Sequence, residues 1–90
     1  MRFEFDSKKS AANKARHGID FFEAQSLWLD EDYVEIEAHS ETEQRFVVIG
    51  KTGMRHCSAL ITYRDEVIRI ISVRRSREGE VEIYESRRAG

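Results

Sequence analysis

Residues 45–75 read RFVVIGKTGMRHCSALITYRDEVIRIISVRR, and their apolar runs and short turns indicate the fold of the chain. Three runs rich in β-branched and aromatic residues predict strands over 45–51, 57–64 and 67–75. They are separated by Lys51-Thr52-Gly53-Met54 and by Asp65-Glu66, both short segments of turn residues. Because short turns join neighbouring antiparallel strands, the stretch predicts a three-stranded meander. Its continuous apolar run over 46–49 predicts that the first strand is buried on both faces.

The preceding residues predict a short strand, two helices and one more strand. Phe3 and Phe5 alternate with charged residues, which is typical of a half-buried strand. A first helix is predicted to begin at Asp6 or Ser7 and to end at Gly18. A second helix, capped by Asp20, has an apolar face of four residues: Phe21, Ala24, Leu27 and Trp28. From Tyr33 onward apolar and acidic residues alternate, which predicts a strand with one wet face.

A last helix is predicted over 77–87, with Val81 and Tyr84 on one side. The element order is therefore β-α-α-β-β-β-β-α within a single domain that covers residues 1–90. This order predicts an α+β fold in which a mostly antiparallel sheet is flanked by two N-terminal helices and one C-terminal helix.

The composition indicates a highly charged globular chain. Charged residues make up 36% of the sequence and apolar residues 40%, and proline is absent. Disordered chains are usually rich in proline, and the apolar runs here are far shorter than a membrane span. The acidic start is unlike a signal peptide, and the single cysteine, Cys57, allows no intrachain disulfide. These features predict a cytoplasmic protein with no membrane association.

The two parts of the chain differ in charge. Residues 1–50 hold six basic and eleven acidic side chains, whereas residues 51–90 hold nine basic and six acidic ones. Most basic residues of the second part are arginines, whose planar guanidinium groups match phosphate oxygens. This part could contact nucleic acid or an acidic partner, although surfaces of mixed charge are also ordinary in soluble proteins.

The sequence contains no recognisable metal or cofactor site. His17, His39 and His56 are scattered and lack the spacing of metal ligands. The glycines do not form a phosphate-binding loop, and no Ser-His-Asp or Cys-His arrangement can be nominated from spacing. We therefore expect neither a metal nor a cofactor, and we expect Cys57 to be packed in the core.

One candidate site remains, formed by arginines on two paired strands and by polar residues of the last helix. Arg64 and Arg69 flank a short turn, so they are expected to lie close together. Arg69 and Arg74 are five residues apart and point to opposite faces of a regular strand unless a bulge intervenes. Glu80 and Tyr84 are four residues apart and share one side of the helix.

This cluster has two interpretations that the residues alone leave open. Its arginines can bind an RNA phosphate and stabilise the charge that builds up when a 2′-hydroxyl attacks it. Alternatively, Arg64 and Arg69 form ordinary surface ion pairs with acids such as Glu35, Glu43 or Glu80.

The chain also resembles the BrnT family of toxins of type II toxin–antitoxin systems, from residue 3 to about residue 84. The first part of the resemblance comprises Phe3-Glu4-Phe5-Asp6, Lys8, Asn13, Arg16-His17-Gly18, Phe21, Glu23 and Ala24. The second comprises Glu43-Gln44-Arg45-Phe46 and Ile49-Gly50. The most specific part is Ile68-Arg69-Ile70-Ile71-Ser72-Val73-Arg74-Arg75, followed by Glu80 and Tyr84.

The resemblance implies a RelE-like fold and a metal-independent endoribonuclease that inhibits translation and arrests growth. It implies that Arg64, Arg69 and Arg74 hold the phosphate and that Glu80 or Tyr84 moves protons. The further residues expected to contact RNA are Arg45, Thr62, Ser72 and Arg75.

The partners implied are an RNA substrate and a cognate ribbon-helix-helix antitoxin, in a complex where the toxin is dimeric and reaches DNA only through the antitoxin. The alternative function is a non-catalytic module that binds the antitoxin and tunes operator binding by the complex.

Overall fold

The structure, a computed structural model, describes residues 1–89 and has one five-stranded sheet with helices on both faces. Gly90, the last residue of the predicted domain, lies outside the described part. The strands are β1 (Arg2–Glu4), β2 (Val34–Ala38), β3 (Arg45–Thr52), β4 (Arg55–Arg64) and β5 (Val67–Arg75). The helices are α1 (Ser7–His17) and α2 (Glu78–Ala89), and a 3₁₀ helix covers Glu23–Leu29. The predicted α+β class is confirmed.

The strands lie in the order β1-β5-β4-β3-β2. Strands β2 to β5 form an antiparallel meander, and β1 pairs in parallel with β5. Both predicted hairpins are present. Gly53 has φ of 64° and Asp65 has φ of 57°, so each tight turn places one residue in the left-handed region. The meander therefore follows from local turn chemistry, whereas the parallel pairing of β1 does not.

The ends of α1 agree with the predicted caps. The side chain of Asp6 accepts hydrogen bonds from the backbone N–H groups of Lys8 and Lys9, at 2.8 and 3.2 Å. At the other end Gly18 has φ of 79°, and its N–H donates to the carbonyl oxygen of Lys14. These contacts satisfy backbone groups that a helix leaves unpaired at its ends.

The predicted second helix forms as a 3₁₀ helix rather than as an α-helix. Phe21, Ala24 and Leu27 are three residues apart, so they align along a helix with three residues per turn, and all three are buried. Trp28 falls off this line and is only partly buried, with its ring 4.9 Å from that of Phe3. The predicted cap is present, because the Asp20 carboxylate accepts from the N–H of Glu23 at 2.7 Å.

The sheet has a hydrophobic core on each face. The larger core lies under α1 and the 3₁₀ helix, and most of its sheet residues come from the neighbouring strands β4 and β5. The smaller core lies under α2 and consists of Val34, Ile49 and Tyr84. Val48 belongs to the first core and Ile49 to the second, and both are fully buried. The predicted burial of β3 on both faces is confirmed.

Asn13 attaches α1 to the edge of β5. Strand β1 ends with Glu4 opposite Arg69, so it does not cover the rest of β5. Beyond it the amide of Asn13 donates to the carbonyl oxygen of Val73 at 2.8 Å and accepts from its N–H at 3.3 Å. The same amide donates to the carbonyl oxygen of Ile19. Asn13 is 8% exposed, so these contacts satisfy buried backbone groups.

Candidate active site

Most of the predicted site residues lie on one side of the sheet, which we call the arginine face. It is the part of the α2 side that α2 leaves open. Cross-strand pairs place Thr62 opposite Arg69 and Leu60 opposite Ser72. Arg45 lies beside them on β3, because its neighbour Phe46 packs into the core on the other side. The predicted strand residues whose side chains belong to the arginine face are Arg45, Thr62, Arg64, Arg69, Ser72 and Arg74.

A β-bulge in β5 brings Arg69 and Arg74 to the same face. The register pairs Ile61 with Ile70 and Leu60 with Ser72, so Ile71 is the extra residue. Two residues five positions apart would point to opposite faces of a regular strand, and the extra residue reverses this parity. The bulge that the sequence left open is therefore present, and it is the local feature that assembles the face.

The closed end of this face consists of Ser58, Arg74, Ser76 and Glu80. The Arg74 guanidinium donates to both oxygens of Glu80, at 2.7 and 2.9 Å. Glu80 also accepts from the Ser58 hydroxyl at 2.9 Å and from the N–H of Arg77 at 2.8 Å. The hydroxyls of Ser58 and Ser76 are hydrogen-bonded at 2.7 Å.

These contacts determine the protonation of Glu80. Its hydrogen bonds with Arg74, and secondarily those with Arg77 and Ser58, lower its pKa to about 2 against the opposing effect of burial. A carboxylate with this pKa is a weak base at neutral pH, because it binds a proton poorly. The structure thus places Glu80 on the arginine face, engaged in an ion pair.

The open end of the face consists of Glu4, Arg64 and Arg69. Glu4 Oε1 lies 3.8 Å from Arg69 Nη1 and 3.9 Å from Arg64 Nη1, which is too far for hydrogen bonds. The Arg64 side chain is 57% exposed and that of Arg69 is 27% exposed. Both guanidinium groups can therefore receive a further anion. The predicted proximity of Arg64 and Arg69 is consistent with their shared neighbour.

Tyr84 lies in the core under α2 and not on the arginine face. It is 1% exposed, and its hydroxyl donates to Asp30 Oδ2 at 2.7 Å. Burial, and secondarily the Asp30 carboxylate, raises the pKa of Tyr84 to about 12. Asp30 also accepts from the N–H of Lys51, so it connects the end of the 3₁₀ helix with β3 and α2. This position gives Tyr84 a role in attaching α2.

Arg75 lies on the opposite face from the other predicted RNA contacts. It pairs with Cys57, whose side chain is 3% exposed and faces the larger core. Arg75, Arg55 and His17 line a cavity of about 230 Å³ there. Burial raises the pKa of the Cys57 thiol, which agrees with its predicted packing.

Two of the other residues predicted to contact RNA form hydrogen bonds within the protein. The Thr62 hydroxyl donates to the carbonyl oxygen of Gln44 at 2.8 Å, and Thr62 is 3% exposed. Arg45 donates to Glu43 at 3.4 Å, while its Nε is buried without a partner among residues 1–89. Ser72 is half-buried opposite Leu60.

Sequence reasoning missed Glu4 and Ser58 as members of the site. The alternation around Phe3 and Phe5 indicated that Glu4 lies on the polar side of β1. It did not indicate that β1 pairs in parallel with β5, and this pairing puts Glu4 beside Arg69. Among residues 1–89 there is no group of three or more His, Cys, Asp and Glu side chains that could hold a metal ion.

A sequence model of the family described as "Ribonuclease toxin, BrnT, of type II toxin-antitoxin system" matches residues 5–80. This chain belongs to that family. Its members are ribonuclease toxins, so an RNA substrate and an antitoxin partner follow from membership. No curated protein matches the sequence. Within residues 1–89, no helix of this BrnT toxin is both long and apolar enough to cross a membrane.

Proposed function

We propose that this BrnT toxin is a metal-independent endoribonuclease that binds RNA on the arginine face and inhibits translation in the cytoplasm. The observation that carries this proposal is the bulge at Ile71, because it puts Arg69 and Arg74 on the face that also bears Arg64. Surface ion pairs do not require such a departure from regular pairing. Bulges are common next to active sites, where they redirect side chains.

The chemistry proposed is attack of a ribose 2′-hydroxyl on the adjacent phosphorus. Negative charge builds up on the phosphoryl oxygens as the new bond forms. Arg64 and Arg69 are placed to stabilise this charge, since each presents a planar fork of donors and neither is hydrogen-bonded to Glu4. These two guanidinium groups supply the positive charge that a metal ion supplies in other nucleases.

Arg74 is proposed to shape the site and to contact RNA only at its outer side. Its fork is occupied by Glu80, and the pair lies where α2 begins. On β4 the partners of Arg69 and Arg74 are four residues apart, so the two backbone positions are separated by roughly 13 Å. The reacting phosphate is therefore assigned to the open end, and Tyr84 and Arg75 are given no part in it.

The proposed partner is a ribbon-helix-helix antitoxin that neutralises the toxin and carries the complex to DNA. In this complex the toxin is proposed to be dimeric. Membership of a toxin–antitoxin family supports the existence of an antitoxin, and the resemblance supports this type.

Incubation of the purified, antitoxin-free toxin with RNA in the presence of EDTA tests the proposal. We expect cleavage at the same rate with and without EDTA. Induced expression is expected to arrest bacterial growth, and co-expression of the antitoxin is expected to restore it. Cleavage that disappears in EDTA and returns with a divalent cation would contradict metal independence. Intact RNA at a verified concentration of folded protein would contradict the assignment of the face.

A further inference from the structure

The open end of the arginine face contains a carboxylate that forms no hydrogen bond with the described part of the chain. Glu4 is the last residue of β1, and its parallel pairing with Arg69 puts both side chains on the arginine face. Its Oε1 atom is buried and has no hydrogen-bond partner among residues 1–89. A buried polar atom left unpaired requires an explanation, and a catalytic role is one such explanation.

The other two groups considered for proton transfer are both occupied. Glu80 accepts four hydrogen bonds, from Arg74, Ser58 and the N–H of Arg77. The Tyr84 hydroxyl is buried and donates to Asp30. By contrast, the Glu4 side chain is 39% exposed, so one of its oxygens is buried between two arginines while the carboxylate as a whole remains reachable.

We propose that Glu4 is the general base of RNA cleavage. A phosphate held by Arg64 and Arg69 lies beside Glu4, because both guanidinium groups are within 4 Å of Oε1. The proposal rests on the cleavage reaction proposed above and assigns its proton acceptor. The 2′-hydroxyl gives its proton to the Glu4 carboxylate while its oxygen forms a bond to phosphorus. The bond from phosphorus to the 5′-oxygen breaks, and the departing 5′-oxygen takes a proton from solvent water. The products are a 2′,3′-cyclic phosphate and a 5′-hydroxyl.

The two arginines make the site compatible with this role. Neither guanidinium group is hydrogen-bonded to Glu4 Oε1, so this oxygen has no partner to give up before it accepts a proton. An RNA phosphate that binds the same two arginines lies next to this oxygen, which puts the neighbouring ribose 2′-hydroxyl within its reach. The shared guanidinium groups therefore position the substrate beside its proton acceptor.

Glu4→Gln tests this role, because it keeps the size of the side chain and removes its basicity. We expect kcat for RNA cleavage to fall by about 10²-fold or more, the usual contribution of a general base. Binding of an uncleavable RNA with 2′-O-methyl riboses is expected to be unchanged or tighter, since an acidic charge is removed from a face that binds phosphate. Glu37→Gln is the matched control, because Glu37 is an exposed strand carboxylate bonded to Gln44.

The outcomes separate this assignment from the proposed function. Parental kcat in Glu4→Gln would overturn the role of Glu4 and leave the ribonuclease site intact. A fall in rate matched by an equal loss of affinity for 2′-O-methyl RNA would also overturn it, because Glu4 would then only position the arginines. If Glu4→Gln fails to fold, Glu4→Asp is measured in the same way, with a fall in kcat of at least tenfold expected and a parental kcat overturning the proposal. Wild-type protein that leaves RNA intact would contradict the proposed function itself.

Discussion

The two ends of the arginine face contain the same kinds of side chain and differ in what those side chains contact. At the closed end the Arg74–Glu80 pair has two hydrogen bonds of 2.7 and 2.9 Å. At the open end Glu4 stands 3.8 Å or more from both of its arginines. The difference arises because Glu80 lies in the first turn of α2, which places it in direct contact with Arg74. Glu4, by contrast, lies at the end of an edge strand of only three residues. A fully satisfied ion pair stabilises the fold, and a loose one leaves charge available for a substrate.

The strongest test of this difference is Arg69→Ala, because it removes a phosphate donor at the open end. We expect RNA cleavage to fall about 10²- to 10³-fold, as with the loss of one donor to a transition state. The melting temperature is expected to change little, since surface pairs contribute roughly 0–1 kcal/mol. Arg69→Lys is expected to recover only part of the rate, because lysine keeps the charge and loses the fork.

Arg75→Ala is the matched control for this experiment. Arg75 lies on β5 like Arg69 but faces the opposite side of the sheet. We expect the Arg75→Ala variant to cleave RNA at the parental rate, measured at equal concentration of folded protein. If the rate of RNA cleavage falls equally in Arg69→Ala and Arg75→Ala, the overall charge of the protein, and not the open end of the face, determines activity.

Glu80→Gln is expected to lower the stability of the fold, because it removes the ion pair with Arg74 at the closed end. The pKa of Glu80 is held at about 2, against 4.5 for an ordinary glutamate. This difference corresponds to at most about 3.4 kcal/mol of unfolding free energy, which solvent screening of the partly exposed pair reduces to about 2–3 kcal/mol. The contribution is fully present above about pH 4.5 and is lost as the pH falls toward 2.

Urea unfolding between pH 7 and pH 3 measures this effect. Glu80→Gln is expected to be less stable than the parent at pH 7 and to approach it as the pH falls. If the difference between the two proteins is the same at both pH values, the ion pair is not the source of the stability.

Asn13→Ala is expected to loosen α1 from β5 and so to weaken the strand that carries Arg69 and Arg74. The change leaves the N–H and carbonyl oxygen of Val73 without their partner, and each such loss costs roughly 1–3 kcal/mol. Asn13→Asp keeps the acceptor and removes the donors, so it separates the two bonds. Chemical denaturation gives the difference, and an unchanged midpoint in both variants would contradict this role of Asn13.

Tyr84→Phe is expected to have the smallest effect. It removes one hydrogen bond to Asp30, which also accepts from the N–H groups of Lys51 and Asp32, so the loss is about 0.5–1.5 kcal/mol. RNA cleavage is expected to stay at the parental rate. A large loss of cleavage with an unchanged melting temperature would show that Tyr84 takes part in the reaction.

Local patterns were sufficient to predict most of the fold. The hairpin at Asp65, the caps at Asp6 and Gly18, and the burial of β3 all depend on neighbouring residues. The type of the second helix was predicted wrongly, because residues 21, 24 and 27 match the spacing of both kinds of helix and the contacts with the sheet decide between them.

The candidate site was only partly predictable, for a physical reason. Local sequence patterns were enough to predict which side chains are available, namely the arginines of β4 and β5 and the carboxylate of Glu80 on α2, and that a short turn brings Arg64 near Arg69. Which of these side chains meet depends on how the strands and α2 pack together. The bulge at Ile71 set the parity of Arg74, the parallel pairing of β1 brought Glu4 to Arg69, and the docking of α2 buried Tyr84. Strand partners and bulges depend on contacts between residues distant in the chain, which local sequence patterns do not encode.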